Sequence, residues 1–292
     1  MAHALSQAQK DSFDRDGYLV IRDFFSAEDA ARLRAAAAAL VDNFDLDSHP
    51  KTKFSTGEEQ DEHVGDKYFL ESGDKIRFFF EEKSLDAKGN LLVPRTRAIN
   101  KIGHALHVLD PVFKEFSTRS SVRDVVRSLG AFEDPRILQS MVIFKQPEIG
   151  GRVGPHQDST FLYTKPLSAM GLWFALEDCT PENGCMYFLP GSHKTVPVSR
   201  RFVRKPDGSG TTFVSLVDED IQDPPEEDYV CEPTPVGTVV LIHGSVLHKS
   251  SQNLSSKSRW IYTFHCIEGR AEYPKDNWLQ NADGKPFTPL LT

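Results

Sequence analysis

Polar and apolar positions follow a helical spacing through much of the first third of the chain and a strand-like alternation afterwards. Ser6 is placed to cap a short helix running to Asp16, and the β-rich Tyr18-Leu-Val-Ile-Arg-Asp-Phe24 follows. Ser26, with Asp29 three residues on, marks a second helix start. That helix is expected over Ala27 to Phe44, where the run Ala35 to Ala39 has high helix propensity and suits a scaffold helix packed on a sheet. Lys75-Ile-Arg-Phe-Phe-Phe80 reads as a strand. Further short helices are expected over Arg97 to His107, Pro111 to Phe116 and Ser121 to Leu129. Residues 45–67 are polar and aperiodic and are expected to form a long mobile loop, either a lid or binding loop or a segment that is simply disordered.

From Arg136 the pattern becomes short strands separated by Gly and Pro. Strands are expected over Ile137 to Lys145, Phe161 to Thr164, Gly171 to Glu177, Met186 to Leu189, Thr212 to Val217, Thr238 to His243 and Trp260 to Ile267. Such spacing predicts an antiparallel sandwich or barrel. The whole chain is expected to be one domain, mainly β with flanking helices. It divides into a mostly helical flank (1–135), a jelly-roll core (136–270) and a C-terminal segment (271–292). Pro224-Pro-Glu-Glu-Asp228 reads as a solvated acidic excursion within it.

Composition narrows the class. The 292 residues are 39% hydrophobic and 26% charged, as in a globular protein able to bury a sizeable core. The net charge of −8 argues against a general nucleic-acid or membrane-surface binder. Cys179, Cys185, Cys231 and Cys266 form no Cys-x-x-Cys pair and read as reduced thiols. No secretory signal, membrane-spanning run or peroxisomal ending is recognisable, so a cytoplasmic location is expected.

The candidate chemistry begins at His156-Gln157-Asp158, the one His-x-Asp in the chain. Side chains two apart on an extended segment share a face, so both can reach one ion. Two histidines and one carboxylate form the facial triad of non-haem iron oxygenases. A histidine merely hydrogen-bonded to an aspartate explains the pair equally well. Structural zinc is disfavoured, since it prefers four protein ligands and no cysteine neighbours the motif. The third ligand is either His243 or His248. Arg259, eleven residues after His248, decides for His248: a buried guanidinium there can grip the distal carboxylate of a dicarboxylate chelating the metal, with the Ser250 hydroxyl beside it. His243 then reads as a buried structural histidine.

Several segments resemble the phytanoyl-CoA dioxygenase family, a branch of the Fe(II)/2-oxoglutarate oxygenases. They are Asp16-Gly-Tyr-Leu-Val20, Ser72-Gly-Asp-Lys-Ile-Arg-Phe-Phe-Phe80, Ile99-Asn-Lys-Ile-Gly-His-Ala-Leu-His107, Pro155-His-Gln-Asp158, Pro181-Glu-Asn-Gly184 with Pro190-Gly-Ser-His193, and His248-Lys-Ser250 through Arg259. The resemblance implies a double-stranded β-helix (jelly roll, cupin-like), Fe(II) on His156, Asp158 and His248, and 2-oxoglutarate as cosubstrate. It places 2-oxoglutarate contacts on Lys101, Met141, His156, Gln157, Asp158, Trp173, Ser250 and Arg259. Read without it, Met141 and Trp173 are core residues on strands and Lys101 is a surface lysine on a helix. The implied reaction converts 2-oxoglutarate and O2 to succinate and CO2 while hydroxylating a small molecule, with acyl-CoA-like compounds one candidate class. Its partners are those small molecules alone, with no nucleic acid, membrane or protein partner implied. The basic segment Arg200-Arg-Phe-Val-Arg-Lys205 could bind an anionic group, although exposed basic runs are more often solvated surface. The rival reading is a jelly-roll sensor that binds metal and 2-oxoglutarate without hydroxylating anything.

Overall fold

The first helix, Gln7–Asp16, begins at a capping box: Ser6 Oγ accepts from Gln9 N–H and the Gln9 side chain accepts from Ser6 N–H. Gly17, at φ +80°, ends it by donating its N–H to Phe13 O, and turns the chain into strand β1 (Tyr18–Ile21). A side chain at Gly17 would strike the His193 ring, so the turn also needs glycine for space. Ser26 Oγ likewise caps the helix Ala27–Asn43 by accepting from Asp29 N–H. The computed structural model from which these contacts are taken describes residues 3–46, 49–52, 67–218, 223–281 and 284–291. Most of the loop expected at 45–67 lies outside the described residues.

The remaining strands are β2 (Ile76–Phe80), β3 (Ile99–His104), β4 (Pro135–Ile143), β5 (Val153–His156), β6 (Met170–Ala175), β7 (Met186–Phe188), β8 (Arg200–Arg204), β9 (Thr211–Ser215), β10 (Val230–Glu232), β11 (Val239–His243), β12 (His248–Ser250), β13 (Ile261–Glu268) and β14 (Thr288–Pro289). One antiparallel sheet has the order β1-β11-β6-β13-β4-β3-β2, with β14 also on β4; a smaller one has the order β10-β7-β12-β5; β8 and β9 form a separate hairpin. Three strands of the major sheet, β1, β2 and β3, thus come from the flank (1–135) expected to be mostly helical. Together the sheets make the jelly roll.

Period-two alternation sorts the side chains of β13. Tyr262 and Phe264 join Phe174, Phe113, Phe116 and the buried face of helix Ala27–Asn43 (Ala30, Leu33, Ala37, Val41) in one core. On the other face Ile261 packs with Trp173, Ala175, Val240 and Ile242 against Cys185, Met186 and Phe188 at the smaller sheet. Thr263 and His265 share that inter-sheet face. Thr263 sits opposite Met141 and Trp173, and His265 opposite Gln139 and Gly171.

Two expected elements are corrected. A helix over Arg97 to His107 gives way to a turn of helix at Arg95–Ala98, then β3, then another turn at Leu106–Leu109. Gly103 disfavours a helix interior, and β3 gains ladders with both β2 and β4, where the missing side chain of Gly103 lets Met141 approach. Lys101 is therefore a buried strand residue rather than a surface one on a helix. The strand expected at Phe161 to Thr164 is also absent: the chain makes a helical turn, Asp158–Phe161, closed by Leu162 N–H on Asp158 O at 2.9 Å. Among the described residues no helix is long and apolar enough to cross a membrane.

Candidate active site

β5 and β12 run antiparallel with His156 directly opposite His248. Two residues ahead of each histidine a carbonyl faces its ring: Gly154 O lies 2.9 Å from His156 Nδ1, and Val246 O lies 3.0 Å from His248 Nδ1. A carbonyl only accepts, so each neutral ring carries its proton on Nδ1 and keeps a lone pair on Nε2. Both Nε2 atoms lie 3.7 Å from Asp158 Oδ1. The three side chains offer ligand atoms all within 4.8 Å of one another. That donor set, two imidazoles and a carboxylate without cysteine, suits a first-row divalent ion such as Fe(II) with coordination positions left over.

Asp158 does not continue the strand of His156, as the shared-face argument required; β5 ends at His156, and Asp158 opens the helical turn after it. Ser159 N–H on Gly244 O (2.8 Å) pins that turn to the segment between β11 and β12. Gln157 strengthens the pin, its side-chain amide donating to Val196 O (3.1 Å) and Ser245 O (2.8 Å). The structure thus uses the Gln157 side chain to hold the loops around the ligands.

Electrostatics leave the set ready for a cation. Burial pushes the His248 imidazole down to about 4, with repulsion from His156 adding and Asp158 partly opposing. Burial acts to raise the Asp158 pKa, yet His265, His248 and His156 together hold the carboxyl below the usual range. Near neutral pH the site therefore presents a neutral His248 and an ionised Asp158, the protonation state a metal needs. His243 lies elsewhere, its Nδ1 accepting from Ser245 N–H at 3.1 Å and its ring beside His193 and Phe13.

The remaining expected residues line the space between the sheets. By strand register Lys101, Met141 and Trp173 share the face of Thr263. Lys101 Nζ sits 5.4 Å from the centre of the Phe79 ring, and burial holds its pKa well down. Ser250 ends β12, two residues past His248, and its Oγ accepts from Lys145 Nζ at 2.9 Å. Arg259 is 2% exposed and its guanidinium lies 5.6 Å from the Trp173 ring centre. Among the described residues the Arg259 side chain makes no hydrogen bond and no ion pair, and its buried Nε is unsatisfied.

Two residues escaped the sequence reading. His265 brings its Nε2 to 3.3 Å from Asp158 Oδ2, behind the oxygen that faces the histidines. Gly171 admits this approach: a Cβ there would lie 3.3 Å from His265 Nε2 and 3.4 Å from Asp158 Oδ2. The signal for His265 was its alternation with Thr263 on β13. Lys145, at the C-terminal limit of an expected strand, gave only the signal of a cation ending an apolar run.

Beside His156 opens a cleft of about 380 Å³, whose walls include Thr160, Phe161, Arg200, Phe213 and Leu247. Of the basic segment, Arg200 borders this cleft with its guanidinium 4.3 Å from the Phe213 ring centre. Arg201 instead pairs with Asp276, and Arg204 donates to Trp278 O and Leu70 O.

Comparison with known proteins bears on this geometry. The family model described as phytanoyl-CoA dioxygenase (PhyH) matches residues 13–261. The chain is 49% identical to phytanoyl-CoA dioxygenase domain-containing protein 1 of Bos taurus over 296 aligned residues, covering 99% of each chain. It is 44% identical to a phytanoyl-CoA dioxygenase of Arabidopsis thaliana, covering 96% of this chain and 95% of the relative. Among solved structures, EctD from S. alaskensis with 2-oxoglutarate and 5-hydroxyectoine is similar in fold, with a TM-score of 0.63 at 21% identity and coverage of 99% and 87%. The epimerase SnoN in complex with Fe3+, alpha ketoglutarate and nogalamycin RO gives a TM-score of 0.62 at 16% identity, covering 97% and 94%. The sequence likeness spans nearly the whole chain and contains every residue of the site just described, so the chain belongs to the phytanoyl-CoA dioxygenase (PhyH) family.

Proposed function

We propose that this protein is an Fe(II)- and 2-oxoglutarate-dependent dioxygenase that hydroxylates a small molecule. The observation that carries the reading is a pairing within one interior: a two-histidine, one-aspartate donor set, and Arg259, a buried guanidinium that makes no hydrogen bond or ion pair among the described residues. A buried cation left unpaired is costly, which favours an anionic ligand as its partner. Membership of the family and the iron and 2-oxoglutarate bound by structurally similar enzymes support the same choice of ligands.

In this reading His156, Asp158 and His248 would hold the metal, a three-ligand set that leaves room for small ligands. Iron there would supply the oxidative chemistry, decarboxylation of 2-oxoglutarate to succinate and CO2 coupled to oxygen transfer. Arg259 and the Ser250 hydroxyl take the distal carboxylate of 2-oxoglutarate. Lys101, Met141 and Trp173 wall the cosubstrate, and the aromatic face of Trp173 keeps water from the guanidinium. Gln157 contributes by tying the loops, through its bonds to Val196 and Ser245. Asp158 keeps the carboxylate position of the donor set filled, which argues against halogenation. The cleft beside His156 is the route by which substrate reaches the metal.

The test is an untargeted screen: Fe(II)-loaded protein, 2-oxoglutarate and fractionated metabolite extract, read by succinate release and by a mass gain of one oxygen in a consumed compound. A compound that accelerates succinate release and gains oxygen supports the proposal. Tight binding of metal and 2-oxoglutarate with no succinate under any fraction would support the non-hydroxylating sensor instead.

A further inference from the structure

Lys145 lies two residues past β4 and is 2% exposed. Its ammonium donates to Gly151 O at 2.8 Å and to Ser250 Oγ at 2.9 Å. An ammonium offers three protons and accepts nothing, so the Ser250 oxygen is fixed as acceptor and the Ser250 proton is left to donate. Among the described residues Ser250 Oγ has no other hydrogen bond. The side chain has little room to go elsewhere. Its backbone is held at φ +35°, its carbonyl accepts from Asn253 Nδ2 (2.9 Å) and from Arg259 N–H (3.3 Å), and Gly184 passes so close that a Cβ there would sit 2.3 Å from Lys145 Cε.

Lys145 and Arg259 thus bring two buried basic groups to one end of the inter-sheet space, where burial first, and then repulsion from the Arg259 guanidinium, hold the Lys145 pKa well down; a bound anion there would favour the charged ammonium. Among the described residues no carboxylate lies within ion-pair distance of either. Glu81 is the carboxylate that acts most strongly on Lys145, and burial pushes that carboxyl toward its neutral form.

We propose that Lys145 is a positioning residue of the 2-oxoglutarate pocket: it orients the Ser250 hydroxyl to donate to the distal carboxylate and, with Arg259, makes the pocket select 2-oxo acids that carry a second carboxylate. The inference rests on the 2-oxoglutarate reading given above. A lysine that only braced the Gly151 loop would support every ligand of the pocket equally, whereas this one acts on the distal carboxylate alone.

The experiment measures calorimetric affinities of full-length, Mn(II)-loaded protein for 2-oxoglutarate and for 2-oxopentanoate, which keeps the chelating end and replaces the distal carboxylate by a methyl group. Lys145→Met, which keeps the stem, should weaken 2-oxoglutarate about tenfold and leave 2-oxopentanoate unchanged. Ser250→Ala should cost a similar factor, and the double variant little more, because the two act through one contact. Lys145→Arg should recover part of the loss. Where Lys145→Met fails to fold, Lys145→Gln removes the charge while keeping a donor for Gly151. Unchanged 2-oxoglutarate affinity, or equal weakening of both acids, overturns the role of Lys145. If wild type binds neither acid, the 2-oxoglutarate reading falls and takes this inference with it; if wild type and Arg259→Ala behave as proposed while Lys145→Met does not, only the inference falls.

Discussion

His156 and His248 face each other across the β5–β12 ladder, ring centroids 4.2 Å apart, and both turn Nε2 toward the same Asp158 oxygen. The cross-strand pairing fixes their separation, and the carbonyls of Gly154 and Val246 fix their tautomers. The centre is thereby preorganised by backbone geometry.

Replacing either histidine by alanine should remove the metal site while leaving His243 irrelevant to it. His156→Ala and His248→Ala are expected to weaken Mn(II) binding more than about 100-fold, beyond what losing a supporting group costs. His243→Ala should bind Mn(II) almost as wild type does, since its ring packs by Phe13 and His193. Calorimetric titration of the three variants checks this, and a His243→Ala defect matching that of His248→Ala would reverse the assignment.

His265 should act on the metal through Asp158. With its Nε2 at 3.3 Å from Oδ2, it steadies the oxygen that does not face the histidines. His265→Leu is expected to lower Mn(II) affinity by about 10- to 100-fold without unfolding the protein. Wild-type affinity in a folded variant would reduce His265 to a packing residue.

Arg259→Ala tests the proposed cosubstrate contact. Hydrogen bonds to charged groups contribute about 1.5–3 kcal/mol, so 2-oxoglutarate binding should weaken roughly 10- to 150-fold. Metal affinity should stay near wild type, because Arg259 is no ligand, and Arg259→Lys should rescue only in part for want of the planar fork. Titration of 2-oxoglutarate into the metal-loaded variants decides it; undiminished affinity in Arg259→Ala would leave the guanidinium a structural cation.

Much of this was legible in the chain, and the misses have physical causes. Ser6 and Ser26 announced their helices because capping is local chemistry. His156, Asp158, His248 and Arg259 stood out by residue type and order. Lys101 was misplaced because Ile99–His104 has no helical or strand bias strong enough to outvote its neighbours; pairing with β2 and β4 decides it. Tertiary contact likewise bends Asp158–Phe161 into a helical turn, through Gly244. His265 and Lys145 were hidden because Asp158 and Ser250, the site residues they touch, lie about a hundred residues away in sequence and meet them only in the folded chain.

Stability should fall on acidification through histidines buried without charge. Burial pushes His107 down to about 4 from an ordinary 6.5, beside Ser140 Oγ at 2.8 Å. Between those values the unfolded chain binds a proton that the folded one refuses, so stability declines as pH drops from 6.5 toward 4 and levels off below. The group accounts for at most about 3 kcal/mol across that window. His107→Gln should flatten the pH dependence of the urea-unfolding free energy by about one proton. An unchanged slope would mean that the folded protein already protonates His107.

The most direct test of the whole account is succinate formation from 2-oxoglutarate, followed by NMR in oxygenated buffer with fractionated metabolite extract, for Fe(II)-loaded wild type and Asp158→Ala. Wild type should form succinate in an iron-dependent manner, including a slow rate without extract, and Asp158→Ala should form none above background while remaining folded. Equal succinate from both proteins, or none from wild type under any fraction, would contradict an Fe(II)/2-oxoglutarate dioxygenase built on His156, Asp158 and His248.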